Sequence, residues 1–127
     1  MTRSRSYDVL ADASICSPTK CVRVRRAVVD TGSQVTLVPY DVAKAAGLDL
    51  PTTPTGTSIR TASGDVVQGA KTRASIQIRG AKRVQIDVSV PQRGNETLIG
   101  MDYLRAARCV IDAPRRRLRC AIRHRRR

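Results

Sequence analysis

The residues whose types and order most clearly suggest a chemical role are Asp30, Thr31 and Gly32, which directly follow the apolar run 27–29. An aspartate in this position is expected where a buried strand ends, partly shielded from water. Shielding disfavours a charged carboxylate that has no partner, so an aspartate at such a point usually has a use. The chemistry that a carboxylate offers there is the transfer of protons to or from a reacting group.

The same three residues also form an ordinary turn sequence. An aspartate followed by x-Gly can bond its own backbone two residues on, and glycine adopts positive φ angles without steric cost. The three residues alone therefore leave a catalytic and a structural interpretation open, and the surrounding elements must decide between them.

The composition predicts one small β-rich domain. The chain has 127 residues, which is enough for one hydrophobic core and too short for two. Aromatic residues make up 2% of the sequence, with no Trp and no Phe, so the core must consist of Val, Ile, Leu and Ala. This set is typical of β-rich proteins, and a core of small side chains is marginal unless a subunit interface adds to it.

Hydrophobic periodicity predicts a mostly β architecture with two short helices. A hairpin of strands 9–15 and 22–29 delivers Asp30 to the end of its second strand. One helix covers 41–46, after Pro39 and before Gly47, and a second covers 101–108. The other predicted strands are 35–38, 58–61, 66–68, 74–78, 84–90, 97–100 and a last hairpin through 110–118.

These elements define one domain over residues 7–120. It lies between a basic N-terminal extension, 1–6, and a basic tail, 121–127, that we expect to be disordered. The hairpin 58–68 has few apolar residues on either face, so we expect it to project from the body of the domain.

The order of these parts resembles that of the retropepsins, the single-domain aspartic proteases of retroviruses and their cellular and bacterial relatives. An apolar strand leads into Asp-Thr-Gly, a polar hairpin and a β meander follow, and Leu98-Ile99-Gly100 precedes a helix and a last hairpin. The resemblance covers about 9–118, and the stretch 96–104 is most similar to the stand-alone bacterial branch. It implies a mostly β acid protease barrel with two short helices, in which each chain supplies half of the active site.

The resemblance implies an aspartic endopeptidase. Because the sequence holds one Asp-Thr-Gly, the second catalytic aspartate would come from a second chain, and the active site would lie on the axis of a homodimer. The two Asp30 carboxylates would share a proton and activate a water molecule that attacks the peptide bond. Such a mechanism needs no metal and no cofactor, and its substrate is a peptide or a protein.

The resemblance also implies tasks for the neighbours of Asp30. Thr31 would bond across the twofold axis, and Gly32 would let the substrate approach the backbone. Ser33 would donate to the outer oxygen of Asp30, or it is a plain turn hydroxyl. The apolar pair Leu98 and Ile99 with Gly100 would pass beneath this loop, where Gly100 allows close packing, or would be an ordinary strand end.

The flap implied by the resemblance is a turn in the polar hairpin. It would close over an extended peptide and offer main-chain hydrogen bonds, unless the hairpin is a surface feature without a function. The flap residues are Ala62, Ser63, Gly64 and Asp65. The residues expected near specificity pockets are Val35, Ile59, Val66 and Val90.

The sequence departs from the retroviral pattern at the dimer. Gln34 and Met101 stand where retroviral members have an acidic residue and an arginine that pair, so that brace is missing. The chain also ends in arginines rather than in a strand that interleaves with its partner. In one interpretation Asp102 takes over some of the bracing by bonding an arginine or a helix N-terminus, and in the other it is an ordinary first-turn helix carboxylate.

The four cysteines form two pairs that we expect to face each other across turns, Cys16 with Cys21 and Cys109 with Cys120. Their spacing is poor for zinc, and His124 lies among arginines, so we predict no metal site. No apolar stretch is long enough to cross a bilayer or to form the apolar region of a signal peptide in 1–6. We therefore expect a cytoplasmic protein with free thiols and no structural disulfide.

The net charge of +14 comes largely from the C-terminal region, where eight arginines lie between Arg115 and Arg127. Such a segment either is a solvated tail or makes nonspecific contact with nucleic acid or an acidic surface. The competing function is therefore a non-catalytic binding module of the same fold that recruits nucleic acid or an acidic partner. A fragment of a larger polyprotein is a third alternative.

Overall fold

Eight strands and two short helices make up the residues that the computed structural model describes, 9–51, 57–60 and 66–121. The basic extension 1–6 and all of the basic tail except Ala121 lie outside these residues. The strands are β1 (Val9–Cys16), β2 (Cys21–Val29), β3 (Thr57–Arg60), β4 (Val66–Ile78), β5 (Val84–Pro91), β6 (Leu98–Ile99), β7 (Cys109–Asp112) and β8 (Arg117–Cys120). The helices are α1 (Tyr40–Ala45) and α2 (Met101–Ala106). The prediction of a mostly β chain with two short helices is confirmed.

One sheet holds six of the strands in the order β3-β4-β1-β2-β6, with β5 paired to β4. All of its pairs are antiparallel except β2 with β6, which run parallel. β7 and β8 form a separate two-stranded sheet. The strand that leads into Asp30 is thus flanked by β1 on one side and by β6 on the other.

Two of the predicted strands differ from the structure. Residues 35–38 form no strand, and Leu37 makes isolated bridges to Ser89 and Leu98 instead. The predicted break between 66–68 and 74–78 is also wrong, because β4 continues through it. Its first residues pair with β3 and its residues from Gly69 onward pair with β5, so backbone pairing carries the strand through a polar stretch.

Both helices form where local signals place them. α1 follows Pro39 and ends just before Gly47, whose φ of 73° is a left-handed conformation that glycine adopts without strain. α2 is two residues shorter than predicted and ends before Arg108, which has a φ of 56°. No helix of the described residues is long and apolar enough to cross a membrane.

The core consists of small aliphatic side chains, as predicted, with one tyrosine among them. Tyr103 on α2 is fully buried. Its hydroxyl donates to the carbonyl of Lys82 at 2.7 Å and accepts from the N–H of Ile78 at 3.0 Å. Burial raises the pKa of Tyr103 above the usual 10.0, and the hydrogen bond from Ile78 offsets part of that increase. Tyr103 therefore fastens α2 to the turn between β4 and β5.

The prediction of free thiols is wrong, because the structure holds two disulfides. Cys16 bonds Cys21, and Cys109 bonds Cys120, so all four cysteines are paired. The reason is the register, which puts each cysteine directly opposite its partner in an antiparallel hairpin. The expectation of free thiols rested on the cellular compartment, and two disulfides are more typical of proteins in an oxidising one.

Replacement of Tyr103 by Phe leaves a buried carbonyl and a buried amide without a partner. We expect the free energy of unfolding at pH 7 to fall by about 1–3 kcal/mol. Because the folded state keeps Tyr103 neutral to a higher pH than the unfolded state does, this stabilisation of the wild type is lost as the pH rises above 10.0. The difference between the two proteins in urea unfolding should therefore be constant well below pH 10.0 and shrink as the pH is raised above it. Tyr40→Phe, at an exposed position, is the control, and a difference that does not change with pH would contradict the account.

Removal of the disulfide in the terminal hairpin by Cys109→Ser with Cys120→Ser is expected to lower the free energy of unfolding by about 2–3 kcal/mol. Cys16→Ser with Cys21→Ser should lower it by less, because that bond closes a loop of separation 5 rather than 11. Urea unfolding without reductant measures both losses. If reductant leaves the stability of the wild-type protein unchanged, the two bonds do not form in solution.

Candidate active site

Asp30 lies where β2 ends, directly beside β6. Val28 and Val29 pair in parallel with Leu98 and Ile99, and the N–H of Asp30 donates to the carbonyl of Ile99 at 2.9 Å. Since β2 is hydrogen-bonded along both edges, it gives the half-buried aspartate a rigid support.

The residues after Asp30 form a tight turn around its carboxylate. The N–H of Gly32 donates to Oδ1 of Asp30 at 2.9 Å, and the N–H of Ser33 donates to the Asp30 carbonyl at 3.2 Å. A Cβ on Gly32 would lie 3.2 Å from the same Oδ1, so glycine leaves room at the carboxylate. Thr31 is exposed, and its hydroxyl makes no hydrogen bond to any residue that the structure describes.

The hydroxyl of Ser33 does not contact the carboxylate of Asp30 through a hydrogen bond. It donates to the carbonyl of Val35 at 2.6 Å, which is the turn-hydroxyl alternative. The carboxylate is therefore oriented by a backbone amide rather than by this side chain.

Gly100 lies against the loop at a distance that no other residue allows. A Cβ at this position would overlap the Val35 carbonyl oxygen and lie 2.6 Å from the Val35 carbonyl carbon and 2.9 Å from the Ser33 carbonyl oxygen. All three neighbours are backbone atoms, which cannot move aside as a flexible side chain can. A glycine is therefore required where the chain passes from β6 into α2.

A buried network joins the loop to the first turn of α2. The carboxylate of Asp102 accepts from the N–H of Thr36 at 3.0 Å, from the Thr36 hydroxyl at 2.7 Å and from the N–H of Tyr103 at 2.7 Å. The fully buried Thr36 hydroxyl in turn accepts from the N–H of Gly100 at 3.1 Å. Backbone amides add to the network, because Met101 donates to the Ser33 carbonyl at 2.8 Å.

Asp102 thus braces the loop through Thr36. Among the described residues, no hydrogen bond or salt bridge joins Asp102 to an arginine. Sequence reasoning named Asp102 but missed Thr36 altogether. The available signal was that Thr36 is the polar member of the run 35–38, whose other residues are apolar. A buried hydroxyl needs a partner, so it pointed to a contact that the local sequence does not contain.

The expected flap and pocket residues are only partly described. Ala62, Ser63, Gly64 and Asp65 lie outside the described residues, as does the side chain of Ile59. Val35 and Val66 are exposed, at 37% and 52%, whereas Val90 is 2% exposed and packs in the hydrophobic core. Val35 and Val66 are therefore accessible to a ligand, and Val90 is not. No cluster of three His, Cys, Asp or Glu side chains that could hold a metal occurs within the described ranges.

The chain is similar to known proteins in sequence and in fold. Residues 23–106 match the family model described as gag-polyprotein putative aspartyl protease. Among solved structures, the EIAV protease in complex with the inhibitor HBY-793 is similar, with 17% identity, a TM-score of 0.58, and coverage of 84% of this chain and 93% of that one. The retroviral protease-like domain of Ddi1 from Leishmania major has 15% identity and a TM-score of 0.55, and the coverage is 88% of each chain. A comparison with curated protein sequences found no match.

The two structural similarities establish the fold, and the family match covers about two thirds of the chain, including the loop from Asp30 to Thr36 and the network around Gly100. They confirm the predicted retropepsin-like fold. The chain belongs to the family of gag-polyprotein putative aspartyl proteases.

Proposed function

We propose that the chain is an aspartic endopeptidase that hydrolyses peptide bonds as a homodimer. The observation that carries the proposal is the braced loop, in which the carboxylate of Asp30 is oriented by the N–H of Gly32 and held in place by the contacts of Gly100, Thr36 and Asp102. Such bracing is what a catalytic group needs, because a catalytic constellation loses rate when its geometry is loose.

One chain supplies one Asp-Thr-Gly, so the proposed site is complete only when two chains meet at a twofold axis. The exposed Thr31, whose hydroxyl has no hydrogen-bond partner among the described residues, is available to bond the backbone of the second chain. The small aliphatic core supports the same proposal, because a subunit interface adds buried apolar area to a domain of this size.

The proposed reaction follows from two facing carboxylates. Two carboxylates a few ångströms apart do not both stay ionised, so the pair of Asp30 residues shares one proton. The ionised member takes a proton from a water molecule, which attacks the carbonyl carbon of the scissile bond. The protonated member donates its proton to the carbonyl oxygen, which gives a diol at that carbon. As the C–N bond breaks, the proton taken from the water passes from the first member to the departing amine, and a proton of the diol returns to the second member. Hydrolysis breaks the C–N bond, and no covalent intermediate with the enzyme forms.

An extended peptide is the substrate that suits the proposed cleft. The hairpin of β3 and β4 leads into the proposed flap, Ala62 to Asp65, whose main chain would bond the peptide and exclude water. Exposed Val35 and Val66 are apolar side chains available near such a peptide. Of the compartments, an oxidising one fits the two disulfides better than the cytoplasm that we expected from the sequence.

Asp30→Asn should lower the rate of peptide hydrolysis by at least about 10²- to 10⁴-fold, because an amide cannot serve as the general base. A mixed peptide library at about pH 4–6, with and without pepstatin, is a suitable assay. Asp41→Asn, which changes an exposed carboxylate at the start of α1, should leave the rate unchanged. Hydrolysis that persists in Asp30→Asn would overturn the proposal and favour the non-catalytic binding module.

The sharing of the site between chains has its own test. When Asp30→Asn is added in about ninefold excess and the subunits exchange at random, wild-type dimers fall to about one tenth of their original number. Activity should fall to the same extent, whereas an equal excess of the active Asp41→Asn should raise the total activity about tenfold, in proportion to the added enzyme. Activity that does not respond to the inactive variant would contradict a shared site.

Thr36→Val should lower both stability and turnover. The change leaves the N–H of Gly100 without an acceptor and Asp102 without one of its donors, at a cost of about 1–3 kcal/mol. Because Thr36 is a positioning residue, the turnover number per folded dimer should fall while KM changes little. Thr36→Ser keeps the hydroxyl and should retain the turnover of the wild type. Equal turnover per folded dimer in Thr36→Val and Thr36→Ser would contradict this role.

A further inference from the structure

A concave surface with five arginines lies on the outer face of the main sheet, and we name it the arginine groove. It consists of two adjoining concavities of about 310 and 380 Å³ that share Asp12 and Arg79. The arginines that line it are Arg23, Arg26, Arg79, Arg116 and Arg117. None of its lining residues belongs to the loop from Asp30 to Thr36 or to the segment from Leu98 to Asp102.

Strand register builds one end of the groove. Ser14 at the centre of β1 lies opposite Arg23 of β2 on one side and opposite Gln77 of β4 on the other. Side chains that lie directly opposite one another in a sheet point to the same face. A guanidinium, a hydroxyl and an amide therefore stand in one row across three strands.

A bulge in β2, where Arg25 and Arg26 lie opposite Asp12 of β1, builds the middle of the groove. The register of β1 and β2 shifts at Asp12, and Arg26 takes a φ of 60° there. The Asp12 carboxylate accepts from the N–H of Arg26 at 3.1 Å, and the Asp12 carbonyl accepts from the N–H of Arg79 at 2.9 Å. The one carboxylate in the groove is thus bonded to backbone at the bulge. Leu118 of β8 lines the other end, next to Arg116 and Arg117.

The charge of the groove is strongly positive and open to solvent. All five arginines are exposed, and Asp12 supplies the one carboxylate among the described residues that line the groove. Two salt bridges join described residues, Arg73 with Asp87 and Arg115 with Asp112, and neither involves Arg23, Arg26 or Arg79. A groove of cations with one carboxylate attracts anions and raises their local concentration.

We propose that the arginine groove binds the phosphate backbone of single-stranded nucleic acid. Guanidinium groups form paired hydrogen bonds with phosphate, and a backbone with one charge per nucleotide can follow two concavities in series. None of the described residues that line the groove is aromatic, so bases lack an aromatic platform there and the binding is independent of sequence. This inference does not depend on the proposed peptidase activity.

An acidic peptide fits the same surface less well. Extended peptides bind sheets mainly through the free backbone groups of an edge strand. At the arginine groove the central strand is β1, whose residues from Ala13 to Cys16 are paired with β2 on one edge and with β4 on the other. Along this stretch of β1 the groove therefore offers side-chain cations but no free strand edge.

The test compares two triple variants of the full-length chain that lose the same charge. The groove variant is Arg23→Gln, Arg79→Gln and Arg117→Gln. The control variant is Arg83→Gln, Arg93→Gln and Arg105→Gln, all exposed and all outside the groove. Fluorescence anisotropy with a labelled oligothymidine and a labelled oligouridine of 20 nucleotides, over a series of salt concentrations, measures Kd for each protein.

The groove variant should bind at least about tenfold more weakly than the wild type, and the control variant less than about threefold more weakly. The slope of log Kd against log salt concentration should fall by about 2 in the groove variant, because three phosphate contacts of a single strand are lost. Asp30→Asn should bind like the wild type, which separates this inference from the peptidase proposal. Thermal unfolding checks that both triple variants are folded.

Four results would overturn the inference. The first is that the wild-type protein fails to bind the oligonucleotides, and the second is that both triple variants lose affinity equally, so that net charge alone matters. The third is that a polyglutamate peptide of equal charge binds as tightly as the oligonucleotides. The fourth is that a duplex binds more tightly than the single strand.

Discussion

The candidate site depends on a close approach of two backbone segments that only glycine permits. At Gly100 the chain passes so near to the carbonyls of Ser33 and Val35 that a single added carbon would overlap them. This contact brings the start of α2 within hydrogen-bond reach of the loop, and it allows the carboxylate of Asp102 to bond Thr36. The amide of Gly32 orients the carboxylate of Asp30 locally, whereas the loop that carries both residues is held by contacts between two distant segments.

Sequence reasoning succeeded where the determining signals are local. The first hairpin, the end of α1 before Gly47 and the alternation of β5 from Val84 to Val88 all follow from residues within a few positions of each other, whereas Val88 to Pro91 are buried on both faces of the strand. It failed for 35–38 and for the length of β4, because pairing with other strands decides those elements. The role of Thr36 was hidden for the same reason, since its partners lie 64 and 66 positions further along the chain.

For the cysteines, the prediction of which residues face each other was correct, and the prediction of their oxidation state was wrong. The facing of Cys109 and Cys120 could be predicted from the pattern of the last hairpin, and the structure has that register. The oxidation state was inferred from an expected compartment, which is independent of the register. The arginines are a similar case. Their number is evident in the sequence, whereas the grouping of several of them around Asp12 involves the bulge in β2.

The parallel pairing of β2 with β6 has a consequence for biosynthesis. A ribosome releases the strand that carries Asp30 long before it releases the residues that support that strand and its loop. Contacts between such distant segments form late and slowly in folding. A nascent chain therefore holds no ordered loop at Asp30 until the residues from Leu98 to Asp102 have also emerged.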